Sequence, residues 1–235
     1  MGGARGIGAG IVERFAADGT KVVFTYAGAH DAANALVERL TADGADVVAL
    51  QSDSASEQAI IDTVNTTVER FGAIDILVNN AGGGTWGPLH ELPSEEIDAM
   101  INVNILGVVL ATRHVIPHLR TGGRIITIGS ITAERTPAPG GSIYAMTKGA
   151  VASFTRALSR ELGPQEITVN NVQPGPVDTE ANPADGPGAD DQAAHIAVGH
   201  FGTIDDIVSI VGYLASEESR FITGASITVD GGFSA

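Results

Sequence analysis

Short apolar runs alternate with longer amphipathic segments along most of the chain, and this alternation limits the available folds more than any other feature. The runs rich in β-branched residues predict strands, and the amphipathic segments between them predict helices. Repeated strand and helix units favour a parallel sheet covered by helices. We predict strands at 21–26, 45–51, 74–79, 124–129, 168–173 and 226–229, and helices at 9–18, 31–43, 57–71, 94–120, 142–162 and 204–215.

Length and charge restrict the function further. A chain of 235 residues that is 43% hydrophobic is long enough for one large α/β domain, which we expect to span residues 1–235. The net charge of −15 makes nucleic acid and anionic membranes unsuitable partners. Without cysteine, disulfides and thiolate metal sites are excluded. The histidines lack metal-binding spacing, no apolar run is long enough for a bilayer, and no signal peptide is evident, so we expect a cytoplasmic protein without a metal.

A glycine-rich run, Gly2-Gly3-Ala4-Arg5-Gly6-Ile7-Gly8, comes directly before the first predicted helix. Glycines there allow a tight turn and let a pyrophosphate approach the N–H groups at a helix N-terminus. The spacing differs from the better-known G-x-G-x-x-G, so a plain flexible terminus stays an alternative. The run predicts a dinucleotide-binding loop.

The strand that normally precedes such a loop is absent from the sequence. In a doubly wound sheet this strand is central, so its absence leaves two interior strand edges with unpaired backbone groups. We expect either a misassigned or truncated start, or a weakened protein with poor cofactor affinity. Intact mass and N-terminal sequencing of the natively produced protein distinguish these alternatives.

Tyr144 and Lys148 begin another predicted helix at a spacing of four, which puts both side chains on one face. The chain has only two lysines and three tyrosines, so the pairing is informative. A nearby ammonium lowers the pKa of a phenol, and we expect this to make Tyr144 a usable acid and base near neutrality. The alternative is an ordinary pair on a surface helix.

Further motifs are Asn79-Asn80-Ala81-Gly82 after one strand, Pro174-Gly175 after another, and the C-terminal Thr223-Gly224 and Asp230-Gly231-Gly232. With the glycine-rich run and the Tyr144–Lys148 pair, they make the chain resemble the short-chain dehydrogenase/reductase family over nearly its whole length. The resemblance implies a single Rossmann-type doubly wound domain, here lacking its first strand, and a homotetramer or dimer. It also implies an NADP-dependent oxidoreductase.

The resemblance assigns four catalytic residues. Tyr144 is the acid or base on the substrate oxygen, Ser130 polarises that oxygen, and Lys148 also holds the nicotinamide ribose. Asn104 matches the family's helix-kinking asparagine, which anchors a proton-relay water. The alternatives are a strand-end serine at 130 and, at 104, a helix asparagine that bonds its own backbone.

The resemblance also implies a cofactor site, with Asp53 on the adenine amino group unless it is a loop or N-cap residue. The second family strand ends at Phe24-Thr25-Tyr26 without an acid until Asp31, and Arg5 adds a positive charge, so we predict NADP(H) rather than NAD. The predicted cofactor-binding residues are Gly2, Arg5, Gly6, Ile7, Gly8, Tyr26, Asp53, Asn80, Ala81, Gly82, Tyr144, Lys148, Pro174, Gly175, Val177 and Thr179.

Residues 178–202 are dense in proline, glycine and aspartate, which predicts either a surface loop or a mobile flap over the substrate. Trp86, His90, Ile131 and Met146 are further candidates for the pocket, although packing or exposure explains Trp86 and His90 equally well.

The predicted reaction is NADPH-dependent reduction of a ketone or aldehyde to an alcohol. The segments 24–28 and 172–183 also resemble a bacterial branch described as cyclic-di-GMP-binding biofilm dispersal mediators, more closely than acyl-carrier-protein reductases. The alternative is therefore a regulator that binds this nucleotide on a reductase fold. The complete set of four catalytic residues argues against a purely binding role.

Overall fold

A computed structural model describes residues 1–136 and 138–235 and contains parallel strands between helices. The described strands are β1 Val22–Tyr26, β2 Val47–Gln51, β3 Ile74–Asn79, β4 Leu119–Ile128, β5 Thr168–Pro174 and β6 Ser226–Val229. The described α-helices are α1 Gly6–Ala17, α2 His30–Ala42, α3 Glu57–Phe71, α4 Ser94–Ile101, α5 Gly107–Val115, α6 Ser142–Leu162, α7 Ala189–Ala193 and α8 Ile204–Ala215, and a π-helical turn, Asn102–Leu106, joins α4 to α5.

The strands form two sheets. β1 pairs with β2, while β3, β4, β5 and β6 pair in that order, and every pairing between strands is parallel. This confirms the predicted α/β class with a parallel sheet. The β-branched apolar runs of the buried strands and the amphipathic pattern of the helices explain why the sequence identified these elements.

A cavity of about 430 Å³ lies between β1 and β3 and is lined mainly by apolar side chains of both sheets. Residues 1–3 cross one end of it. Gly3 N donates to Thr25 O at 2.8 Å, and the Met1 ammonium donates to Val78 O at 2.7 Å. Burial lowers the pKa of that ammonium to about 6.

Helices cover both faces of the sheets. Side chains of α1, α2 and α8 pack in one apolar core, and those of α3, α5 and α6 pack in another. The helix ends follow local signals: Thr203 and Asp206 form a capping box at α8, and Gly72 ends α3 in the left-handed region at φ +82°.

The predicted helix 94–120 is wrong at its C-terminal end. A 3₁₀ turn containing Pro117 ends the helical stretch at His118, and β4 begins at Leu119, five residues before the predicted strand. A bulge allows this, because Leu119 pairs with Ile74 and the register then shifts before Arg124 pairs with Ile76. Gly122, at φ +81°, supplies the left-handed residue that such an irregularity favours.

By length and mean hydropathy alone, Ser94–His118 is the one helical stretch among the described residues that could cross a membrane. The prediction that no apolar run is long enough to span a bilayer considered each run separately, whereas this helix joins several of them. In the fold its α5 part packs against α3, and its α4 part packs against α6. A core helix meets the same length and hydropathy criteria.

Candidate active site

The carboxyl ends of β3, β4 and β5 meet at one edge of the larger sheet, where α/β proteins place their ligands. Asn80-Ala81-Gly82 follows β3, Ser130 follows β4 by one residue, and Gly175 follows β5 directly. The N-terminal turn of α6 carries Tyr144 to the same edge. The topology therefore brings together segments that lie up to about a hundred residues apart in sequence.

Lys148 is 6% exposed, and its Nζ donates to Ile128 O at 2.9 Å. The same nitrogen lies 5.6 Å from the centroid of the Tyr144 ring. Burial lowers the pKa of Lys148 to about 8. The pair therefore does share one face of α6, and its lysine is a buried group rather than a surface one.

The expected effect of this lysine on Tyr144 is wrong. Burial raises the pKa of the Tyr144 phenol, and a hydrogen bond with the Ser130 side chain offsets this only in part. Burial disfavours the charged phenolate, and it is the largest contribution to this shift. At neutral pH Tyr144 is protonated, which suits a proton donor.

Ser130 is buried at the end of β4 and starts a 3₁₀ turn. Its Oγ accepts hydrogen bonds from Thr132 N at 3.2 Å and Thr132 Oγ1 at 3.0 Å. Because both Thr132 groups donate to Ser130 Oγ, the hydrogen of the Ser130 hydroxyl points away from Thr132. The Ser130 side chain also forms a hydrogen bond with Tyr144. Ser130 is thus both a strand-end cap and part of the Tyr144 site.

Asn104 lies in the π-helical turn and is 2% exposed. Its amide pairs with the backbone of Gly83, accepting from N at 3.0 Å and donating to O at 2.8 Å. It also donates to Thr147 Oγ1 at 3.1 Å. The alternative that the Asn104 side chain bonds the backbone of its own helix is therefore wrong. The side chain instead links the segment after β3 to α6.

Residues 2–8 form a compact turn against the segment after β3. Gly2 has φ +72°, and a Cβ there would lie 2.8 Å from Ala81 Cα. A Cβ on Gly8 would lie 2.0 Å from Gly2 O, so no side chain fits. Asn80 Nδ2 donates to Gly2 O at 2.7 Å. The alternative of a plain flexible terminus is therefore wrong, because these glycines are needed for close packing.

Two glycines lie close to predicted site residues of other segments. A Cβ on Gly6 would lie 3.8 Å from Thr179 Cγ2, and one on Gly82 would lie 3.5 Å from Lys148 Nζ. The structure therefore brings Thr179 to the glycine loop and Lys148 to the segment after β3.

The cofactor candidates on the smaller sheet lie at its carboxyl edge. Tyr26 ends β1, and its hydroxyl hydrogen-bonds His30 Nδ1 at 3.3 Å. Asp53 is exposed, and its Oδ1 accepts from Ala55 N at 2.9 Å. Asp53 therefore stabilises its own loop, which was the alternative to adenine binding. Its second carboxylate oxygen can still accept a hydrogen bond from a ligand. Arg5 is exposed at the N-cap of α1.

Pro174 is the last residue of β5, and Gly175 and Val177 lie in the segment that follows. Gly175 N donates to Val229 O at 2.9 Å, and a Cβ on Gly175 would lie 2.5 Å from Asp230 Cβ. Val177 is buried and forms an isolated parallel bridge with Gly202. The bridge closes the base of the 178–202 segment and directs Thr179 toward Gly6.

The 178–202 segment is folded, with a short helix, α7, near its middle. Its buried Ala189, Ile196 and Phe201 pack with Ile131 and Phe233 in a small core of their own. Ile131 directly follows Ser130, so this core anchors the segment beside the site. Its role as a flap stays a prediction.

The other pocket candidates differ in their surroundings. The centroids of the Trp86 and Tyr144 rings lie 5.9 Å apart, whereas His90 is exposed and lies 3.4 Å from the Glu91 carboxylate. Met146 is exposed and follows Tyr144 by two positions, so it points to a different face of α6. Among the described residues, no cluster of three or more metal-binding side chains occurs.

With this geometry in place, comparisons with known proteins identify the family. A protein-family model described as Enoyl-(Acyl carrier protein) reductase matches residues 2–234. The "Cyclic-di-GMP-binding biofilm dispersal mediator protein" of Escherichia coli (strain K12) is 43% identical over 235 residues, which cover 100% of this chain and 95% of the relative. The chain belongs to the short-chain dehydrogenase/reductase family.

Solved structures of this family match the fold closely. A short-chain dehydrogenase/reductase from Serratia marcescens BCRC 10948 superposes with a TM-score of 0.98 at 48% identity, covering 100% of this chain and 96% of that one. A short chain dehydrogenase from Burkholderia cenocepacia J2315, described in complex with NADP, gives a TM-score of 0.97 at 44% identity with the same coverage. The Rossmann-type fold predicted from the resemblance is confirmed.

Sequence reasoning missed two residues of this reductase site. Thr147 is fully buried, accepts from Asn104 Nδ2, and donates to Tyr144 O at 2.8 Å. His30 holds the Tyr26 hydroxyl at the start of α2. The signal for Thr147 was its place between the two catalytic positions of α6. Nothing in the sequence pattern marked His30.

Proposed function

We propose that the chain is a carbonyl reductase that uses NADPH to convert ketones or aldehydes to alcohols. The observation that carries this proposal is the half-buried Tyr144, whose pKa is raised by burial, beside Ser130 and the buried Lys148, at the same sheet edge as the glycine loop. A proton donor next to a second hydroxyl suits a substrate oxygen that gains a proton as its carbon is reduced.

The residues at this edge suit NADP(H), because close-packed glycine backbone precedes the N-terminus of α1. When bound, NADP(H) supplies the hydride that reduces the carbonyl carbon. The glycine loop would receive the pyrophosphate on the N–H groups of α1, and Thr179 would contact a phosphate. Lys148 would hold the nicotinamide ribose, and Pro174, Gly175 and Val177 would present backbone to the carboxamide. Asn80, Ala81 and Gly82 form the wall between these two ends.

The proposed protein steps involve the four catalytic residues. Ser130 donates a hydrogen bond to the substrate oxygen and holds it near Tyr144. Tyr144 then transfers its phenolic proton to that oxygen, and the Lys148 ammonium stabilises the phenolate that remains. Asn104 keeps the segment after β3 in place and, with a water, belongs to the path that returns a proton to Tyr144.

Preference for NADP(H) over NAD(H) rests on charge. The end of β1 presents Tyr26 rather than an acid, and Arg5 is exposed at the start of α1. A guanidinium can bind the 2′-phosphate that distinguishes NADP, whereas a carboxylate would repel it. The Burkholderia relative described in complex with NADP supports the same choice.

The wider expectations belong to this proposal. A net charge of −15 favours a small-molecule partner over nucleic acid or a membrane surface. We also expect a homotetramer or dimer, as the family resemblance implies. We place the protein in the cytoplasm.

A second candidate function rests on the printed name of the Escherichia coli relative, which describes a cyclic-di-GMP-binding protein. In that case the chain sequesters this dinucleotide, and the glycine loop and Thr179 would bind its phosphates instead. The buried catalytic set favours the reductase, since binding alone requires neither Ser130 nor Lys148.

Separate titrations test the two functions. NADPH and cyclic-di-GMP are each titrated by calorimetry, and a panel of ketones and aldehydes is then scanned for NADPH oxidation. Saturable turnover of at least one carbonyl compound supports the reductase. Tight binding of cyclic-di-GMP without NADPH binding or carbonyl turnover rejects it in favour of the regulator.

A further inference from the structure

Trp86, the single tryptophan of the chain, lies beside the proposed proton donor. Its ring centroid is 5.9 Å from that of Tyr144, and the ring planes are inclined at 41°. Trp86 is nevertheless 52% exposed. The indole therefore touches the catalytic ring along one side and leaves much of its surface open.

Two glycines hold the indole in this position. A Cβ on Gly141 would lie 2.3 Å from Trp86 Cζ3, so the ring lies directly against the backbone before α6. Gly87 N donates to Gly140 O at 3.1 Å and ties the two segments together. The missing side chain at Gly141 is what lets Trp86 come this close. The indole is therefore supported from behind by backbone.

The Tyr144 ring is supported in a similar way. A Cβ on Gly84 would lie 2.9 Å from Tyr144 Cδ2. The segment 82–87 thus contributes backbone beneath the phenol and an indole beside it. The exposed part of the indole is therefore an apolar surface beside the proposed proton donor.

We infer that Trp86 determines specificity by stacking against planar aromatic substrates, so that aryl ketones are the preferred substrate class of the reductase proposed above. The aryl ring would lie on the exposed indole surface, with its carbonyl directed to Tyr144 and Ser130. Offset or tilted aromatic pairs are favoured beyond their apolar area. A saturated ring of the same size would lose that contribution.

The test uses two substrates that differ only in ring saturation, acetophenone and cyclohexyl methyl ketone. In the wild type, kcat/KM favours acetophenone. Trp86→Leu lowers this preference about tenfold, mainly through KM, because stacking is equal in the ground and transition states. Trp86→Phe retains most of the preference. Phe221→Leu, which removes a 99% exposed aromatic ring elsewhere, is the matched control and leaves the preference unchanged.

Fluorescence gives a measurement that does not depend on turnover. Because Trp86 is the single tryptophan, its emission reports the site directly. Acetophenone should quench it saturably in the wild-type protein with NADP⁺ bound, which prevents reduction of the ketone during the titration. N-acetyltryptophanamide with the same ketone corrects for collisional quenching and absorption.

The outcomes separate this inference from the function on which it rests. If both ketones are reduced and the preference is the same in Trp86→Leu, the inference is wrong and the reductase stands. A different result is that neither ketone is reduced, while acetophenone quenches Trp86 with a saturable dependence on concentration and cyclohexyl methyl ketone does not. That result supports aryl stacking and contradicts the proposed reaction. Linear quenching alone overturns aryl binding at Trp86.

Discussion

The two sheets of this protein divide the proposed work between them. The larger sheet, β3 to β6, carries Ser130 and the segment after β5, and α6 packs on it with Tyr144 and Lys148. The smaller sheet, β1 and β2, carries Tyr26 and Asp53 at its carboxyl edge. The larger sheet thus holds the reacting groups, and the smaller one holds candidates for cofactor recognition.

The two sheets also differ in how they are supported. β4 is paired on both sides and contains the nearly fully buried Ile125 and Ile126. β1 pairs with β2 on one side, while its other side faces the 430 Å³ cavity and the bonds of residues 1–3. The chemistry therefore rests on a continuous core, whereas the proposed cofactor selection rests on a less supported pair of strands.

The sharpest way to separate the two regions is Tyr144→Phe. It removes the proton donor without changing the ring that packs beside Gly84 and Trp86. We expect turnover to fall by about 10² to 10⁴, as for loss of a general acid, while the Kd for NADPH changes little. Steady-state kinetics and NADPH titration measure the two effects. Retained turnover in this variant would exclude Tyr144 as the donor.

The smaller region is tested by Arg5→Ala. Loss of a charge-assisted contact with the 2′-phosphate should raise KM for NADPH by about 10- to 100-fold and leave NADH kinetics unaffected. Arg5→Lys should lose less, since it keeps a positive charge. Arg39→Ala is the matched control because Arg39 is an exposed arginine paired with Glu13 on the surface. Equal losses with both cofactors would contradict the assignment.

The buried ammonium of Lys148 gives a prediction for stability. Its pKa is about 8 in the folded chain, against 10.5 for the free group, so burial of the charge opposes folding fully below pH 8. Stability should therefore rise between about pH 8 and 10.5 as the unfolded state holds more protons. Lys148→Met should raise the free energy of unfolding at pH 7 by about 2 kcal/mol, after allowing for the lost hydrogen bond to Ile128 O.

Urea unfolding at pH 7 and at pH 9.5 measures this effect. The difference between Lys148→Met and the wild type should shrink at the higher pH, and the variant should be inactive at both. A variant that is less stable at pH 7 would show that the carbonyl contact outweighs desolvation. If Lys148→Met is more stable and inactive, as predicted, Lys148 supports activity at a cost in stability.

Most of the fold could be predicted because its elements are local in sequence. The helix at α6 and the strands β3 and β6 follow directly from hydrophobic period and turn residues. The start of β4 could not be predicted, because Leu119 joins the sheet through a bulge that only the position of Ile74 reveals. The burial of Ser94–His118 likewise depends on helices that pack against it from elsewhere in the chain.

The candidate site could be predicted as a set of residues but not as an arrangement. The resemblance named Asn104, Ser130, Tyr144 and Lys148, and the structure brings them to one edge. The sign of the Tyr144 pKa shift could not be predicted, because it depends on burial. Thr147 was missed because its hydrogen bond with Asn104 is a tertiary contact between residues 43 positions apart.

The smallest expected effect tests the comparison directly, by native-state hydrogen exchange. Because β1 lacks a full second neighbour, its amides should exchange through openings that are about 1–2 kcal/mol less costly than those of β4 and β5. NADPH should slow exchange in β1 and in residues 2–8 more than in β4, since a ligand stabilises what it must order. β3 should exchange at a rate between those of β1 and β4, because it borders the same cavity but pairs with a strand that has neighbours on both sides. If β1 and β4 exchange equally slowly without NADPH, residues 1–3 alone hold the sheets together as one unit, and cofactor recognition is no more vulnerable than catalysis.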